Sequence, residues 1–288
     1  MKNRSIIFQL SFVFLLCGIA KGNSVHERLY INRGIFTTVK GTTFPSLAYN
    51  TTPVFNARNA VINLTTGDTL FIIIINKDNV PHSFTVKNIT TFSPILPGDS
   101  ITRSYVFQSE GVFVYYDSVQ YPSNRYMGLA GMICVSQQSS AKPFYWNIKE
   151  HQTGFNNTLA AGGTVDWNSY DPDYFTINGL SHPDLQNDPT ARVNGNVGDT
   201  MHIYVANTGQ STHSIHFHGF HCRVVYSTTP SIQVGSSKDT FPFGSMQGAL
   251  LEMVPDKAGK YSVHDHNLVA VSGGGTHPNG MFIIMSFQ

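Results

Sequence analysis

Two short stretches in the C-terminal half of this 288-residue chain hold the residue types most able to do chemistry. One runs Ser211-Thr212-His213-Ser214-Ile215-His216-Phe217-His218-Gly219-Phe220-His221, the other Tyr261-Ser262-Val263-His264-Asp265-His266-Asn267. Seven of the twelve histidines fall between His213 and His277. Each stretch carries a His-x-His pair flanked by β-branched or aromatic residues, a composition that favours strands. Side chains alternate along a strand, so His216 and His218 share one face, and so do His264 and His266. If the two strands are neighbours, four imidazoles converge. A metal is the usual reason for such a concentration, and imidazole suits copper, zinc, iron and nickel.

The elements that must position these residues are β-strands. Gly, Pro, Thr, Val, Ile, Phe and Tyr are abundant, and no sustained helical periodicity is present. The Leu70–Ile75 run is apolar throughout and reads as a fully buried strand. His82–Val86, 101–107, 111–116 and 131–135 read as further strands. The net charge is +1 and only 12% of residues are charged, which points away from nucleic acid and anionic membranes as partners. Met1-Lys2-Asn3-Arg4, the apolar run from Ile6 to Ala20 and the small-x-small exit Ala20-Lys21-Gly22 predict a secretory signal over residues 1–22. The mature protein is then secreted, extracellular or periplasmic, and no later segment is long and apolar enough to span a membrane. Cys134 and Cys222 are the cysteines left after cleavage, and they read as buried thiols rather than a bridge.

The second half repeats the first. Gly67-Asp68-Thr69 and the strand after it recur 131 residues on as Gly198-Asp199-Thr200, and the same offset takes His82 to His213. Gly111-Val112-Phe113-Val114-Tyr115-Tyr116-Asp117 recurs 148 residues on as Gly259-Lys260-Tyr261-Ser262-Val263-His264-Asp265. Such self-similarity implies two copies of one β unit. The expected division is residues 23–136 and 144–288, joined by a polar linker at 137–143. Both units read as all-β Greek-key sandwiches.

His213-x-x-His216-x-His218-Gly219, Tyr174–Leu180, Asp239-Thr240-Phe241-Pro242, Met253-Val254-Pro255 and Val263–Leu268 together resemble the cupredoxin superfamily, in particular two-domain multicopper oxidases and copper nitrite reductases. The resemblance implies two tandem cupredoxin-like sandwiches, copper as cofactor and a homotrimer in which domain 2 of one subunit faces domain 1 of the next. It implies His213 as a blue-copper ligand, His216 as a type 2 ligand, and His218, His264 and His266 as type 3 ligands. Matched to the nitrite reductases, His218 is the catalytic histidine and His266 a copper ligand, so these two are the expected catalytic residues.

The pattern departs from the family in two places. Where the blue-copper cysteine belongs stand Asp265 and, in the first unit, Asp117. A blue site needs a thiolate beside its two imidazoles. By the repeat offsets, the first-unit counterparts of His216, His218, His264 and His266 are Thr85, Lys87, Tyr116 and Ser118, so a full trinuclear cluster is not expected. His213, Asp265 and His277 form an alternative two-imidazole, one-carboxylate site. His82, without its partners, reads as a hydrogen-bonded interior histidine, and Cys222 continues the His216/His218 face as plain core. The expected function is a secreted copper-binding oxidoreductase acting on a small-molecule substrate or electron donor through a non-blue site. The alternatives are a non-catalytic copper carrier and a metal-free interaction module.

Overall fold

The computed structural model describes residues 22–89, 93–137 and 140–288. The predicted signal lies outside these residues except for Gly22, and so do residues 138–139 of the expected linker. Strand Lys142–His151 begins inside that linker.

The chain folds as an all-β, cupredoxin-like pair of sandwiches, each built from two sheets. In the first sandwich one sheet runs Thr43–Asn50, Ser24–Thr37, Thr69–Asn76, Ser100–Val106, and the other Val61–Thr65, Ala130–Ser136, Gly111–Tyr116, Thr85–Val86. The second repeats both orders. One sheet starts Tyr174–Ile177, Lys142–His151, Met201–Asn207, Gln247–Met253. The other runs Asn194–Gly195, Phe282–Phe287, Gly259–Asp265, His213–Phe217, Thr240–Phe243. The register repeats as well: Thr85 lies opposite Tyr116, and His216 opposite His264.

One expectation needs correction. The 69–76 strand alternates rather than being buried on both faces: Leu70, Ile72 and Ile74 point inward while Phe71 is 36% exposed and stacks on His26. A run of Ile satisfies a strand buried on one face as well as one buried on both, so hydropathy alone does not separate them. Two short helices, Ser123–Tyr126 and Thr153–Ala160, also form.

Each sandwich has its own core. Leu29, Tyr49, Ile72, Phe84 and Tyr115 belong to the first, and Trp146, Ile203, Phe217, Phe241 and Ile283 to the second. A third cluster joins them, with Val112, Val114, Met132 and Cys134 packed against Tyr204, Ala206, Met246 and Leu250. Buried Arg125 adds two hydrogen bonds across the junction, to the carbonyls of Thr208 (2.8 Å) and Gly209 (2.6 Å). Among the described residues no helix is long and apolar enough to cross a membrane.

Candidate metal centre

Strands His213–Phe217 and Gly259–Asp265 are hydrogen-bonded neighbours, paired Ile215 to Asp265, His216 to His264 and Phe217 to Val263. Alternation then sorts the side chains. His213, Ile215 and Phe217 point inward, as do Val263 and Asp265, while His216 and His264 point outward. His218 and His266, one step beyond each strand, continue the outward row and are exposed.

The four outward imidazoles form one group. Ring centroids lie 4.6 Å apart for His216 and His218, 5.5 Å for His216 and His266, 5.9 Å for His216 and His264, and 5.1 Å for His218 and His264. The Nε2 atoms of His218 and His264 are 3.0 Å apart. Two nitrogens bound to one ion at about 2.0–2.1 Å are themselves about 2.9–3.4 Å apart between square and tetrahedral angles, so this pair is already at chelating distance. Among the described residues, no three His, Cys, Asp or Glu side chains meet in metal-binding geometry. Among the described residues no hydrogen bond holds the His266 imidazole.

Two of the rings have Nδ1 engaged. His264 Nδ1 lies 2.8 Å from the Asp265 carbonyl, to which it can only donate, leaving a lone pair on Nε2. His216 Nδ1 lies 2.8 Å from Thr240 Oγ1, and that hydroxyl donates onward to Asp239 Oδ1 at 3.0 Å. Thr240 therefore accepts from His216, which also leaves Nε2 free. Fixing one ring nitrogen in this way is how metal-ligating histidines are oriented. Desolvation, and then the neighbouring imidazoles His216, His264 and His266, hold His218 below the usual histidine range, which favours the neutral, ligating form.

His213 does not join the group. It stands three positions before His216, an odd step, so the strand turns it to the interior. Its Nδ1 lies 2.5 Å from Asp265 Oδ2 and its Nε2 2.9 Å from Glu150 Oε2, which leaves no nitrogen for a metal. Burial opposes its charge, but the hydrogen bonds and charges of Asp265 and Glu150 outweigh it and push the imidazole up to about 9. Burial likewise opposes the Glu150 charge, and the His213 bond and cation with the Ser211 and Gln210 N–H groups bring it down to about 2. The alternative site of His213, Asp265 and His277 is not assembled either: carboxylates engage both nitrogens of His213, and among the described residues no three such side chains meet in metal-binding geometry. Cys222 sits in the other sheet of the second sandwich, fully buried in the core rather than on the imidazole face.

The first sandwich has the same layout without the imidazoles. His82 is fully buried between Asp117 (2.7 Å) and Asp78 (2.7 Å). Thr85 and Ser118 face each other at 2.9 Å, where the second sandwich has His216 and His266. At the His82 and His213 positions neither sandwich thus offers a thiolate or a free imidazole, and a blue-copper centre does not fit the residues there. The outward group instead presents imidazole nitrogens, one pair of them, on His218 and His264, at chelating distance. Sequence reasoning missed Glu150 altogether. Asp239 and Thr240 lay in a motif already quoted, but no spacing rule tied them to His216.

A sequence-family model described as multicopper oxidase matches residues 158–277. The fold is similar to a blue copper oxidase from Nitrosomonas europaea, with 19% identity and a TM-score of 0.77 over 92% of this chain and 86% of that one. It is similar to a copper nitrite reductase from the same organism, with 20% identity and a TM-score of 0.73 over 92% and 94%. It is also similar to a laccase from Botrytis aclada, with 16% identity and a TM-score of 0.68 over 91% of this chain and 53% of that one. No curated protein matches the chain in sequence.

Proposed function

We propose that this chain is a secreted copper-binding oxidoreductase of the multicopper oxidase class, with a non-blue copper held by His216, His218, His264 and His266. The observation that carries the reading is the convergence of these four rings, two of them with Nδ1 tied off so that Nε2 keeps its lone pair. Imidazole donors in that number suit copper, and the family match over 158–277 supports the class. Bound copper would supply one-electron chemistry at the outer surface of the sheet.

The chain's own residues do the rest. Thr240 and the Asp265 carbonyl hold the tautomers of His216 and His264. His218, exposed and held below the usual histidine range, is the group best placed to give or take a proton at an incoming small substrate through whichever ring nitrogen is not on the metal, with His266 beside His216 as its companion. Carboxylates in place of thiolates at positions 117 and 265 mean that electrons reach the site directly from a small reductant or another protein. That same feature favours a second reading, a copper carrier that needs no electron route. Metal analysis and electron paramagnetic resonance of purified protein, followed by assays with a phenol, ferrous iron and nitrite, test both. Bound copper with turnover supports the oxidoreductase, bound copper without turnover the carrier. No stoichiometric metal after copper loading overturns both.

A further inference from the structure

We propose that Glu150 is a positioning residue for the metal-binding end of the second sandwich, acting through His213 and Asp265 on His264 and His266. This rests on reading the four-imidazole group as the metal site. His266 is exposed, and among the described residues no hydrogen bond holds its ring. What places it is backbone. Its N–H donates to the Ser214 carbonyl at 2.7 Å, and the Asp265 carboxylate accepts from Ser214 N (3.1 Å) on one side and Asn267 N (2.9 Å) on the other. Asp265 is oriented in turn by His213, and His213 by Glu150. Glu150 is held firmly, by the N–H groups of Gln210 (2.6 Å) and Ser211 (2.8 Å) and by the Tyr170 hydroxyl (3.1 Å).

The internal repeat shows that this carboxylate replaces a different device. Strands Ser24–Thr37 and Lys142–His151 run parallel to Thr69–Asn76 and Met201–Asn207, with Ile31 beside Asn76 and Ile148 beside Asn207. Two residues further along, Arg33 and Glu150 are counterparts, and so are Asp78 and Gly209. In the first sandwich Asp78 supplies the carboxylate to His82, and Arg33 binds Asp78 through Nε (2.8 Å) and a terminal nitrogen (2.7 Å). In the second, the loop residue is glycine and the strand residue itself brings the carboxylate. The glycine is needed, because a Cβ at Gly209 would lie 1.9 Å from Glu150 Oε2. The Arg33-Asp78-His82-Asp117 chain leads to Tyr116 and Ser118, whereas Glu150-His213-Asp265 leads to His264 and His266. The first is therefore a built-in control for a purely structural role.

The test uses the full chain and compares Glu150→Gln with Asp78→Asn. Amide hydrogen exchange is followed at His266 and Asn267 in metal-free protein, with copper(II) titration calorimetry and paramagnetic resonance on loaded protein. Glu150→Gln should speed exchange at both amides, weaken copper binding by about 10–100-fold and change the copper hyperfine coupling. Asp78→Asn should change none of the three at the second sandwich. Tyr170→Phe removes one hydrogen bond and no charge, so it should give a smaller change of the same kind and serves if the glutamine variant does not fold. Exchange at His266 and Asn267 that matches Asp78→Asn overturns the proposal. If exchange responds as expected but wild-type protein takes up no copper, the metal reading fails and the positioning role stands.

Discussion

Raising the pH on metal-free protein should weaken it through His213. The imidazole rises from 6.5 to about 9 on folding because two buried carboxylates flank it. A shift of that size corresponds to about 3 kcal/mol, at about 1.4 kcal/mol per pH unit. The folded-state value is the higher one. The contribution is therefore complete below pH 6.5 and is lost as pH climbs through 9. Glu150 moves the opposite way, down to about 2, so its share is present above pH 4.5 and lost on further acidification. Both shifts describe largely one interaction and are not added, and the unit contributes most between about pH 4.5 and 6.5. His82, raised by Asp117 and Asp78 despite its burial, adds to the alkaline loss with the same sign. Denaturant unfolding from pH 5 to 9.5 on wild type and His213→Asn separates the two. The variant should be about 3–5 kcal/mol less stable near pH 6, since it strands two buried carboxylates. Its decline between pH 6.5 and 9 should be shallower than that of wild type by about 3 kcal/mol in total. Parallel curves would refute the reasoning, because they would mean that His213 folds with its ordinary proton affinity.

Other perturbations separate the site from the scaffold. Thr240→Val removes the acceptor that fixes the His216 tautomer; calorimetry should find copper binding weaker by about 10–100-fold with little change in unfolding free energy. His264→Ala takes away half of the 3.0 Å nitrogen pair and should abolish the wild-type copper resonance signal, whereas His82→Ala should lower stability and leave that signal in place in any folded fraction. Trp146→Ala empties a fully buried site stacked on Phe217 and should cost about 3–5 kcal/mol by denaturant unfolding. Amino-terminal sequencing of secreted protein should begin near Asn23; an intact Met1 on the exported chain would refute cleavage.

Much of this protein was legible in one dimension. The period-two spacing of His216 with His218 and His264 with His266 set each pair on one face, and the repeated Gly-Asp-Thr and His positions announced two copies of one unit. The odd step from His213 to His216, and from His264 to Asp265, reverses the face and was there to be read, though no such separation was drawn from it. The family resemblance pulled against that signal by grouping all five histidines as ligands. What only the tertiary structure decided was the partner of His213. Glu150 stands in Lys149-Glu150-His151, a polar run that by composition belongs at the surface, yet all three are buried. Parallel pairing with the 201–207 strand sets Glu150 beside Gly209, and the missing side chain there opens the space its carboxylate fills. That meeting depends on strand register across 63 residues and on one absent Cβ. Neither leaves a periodic trace in sequence, because the constraint lies between strands rather than along one.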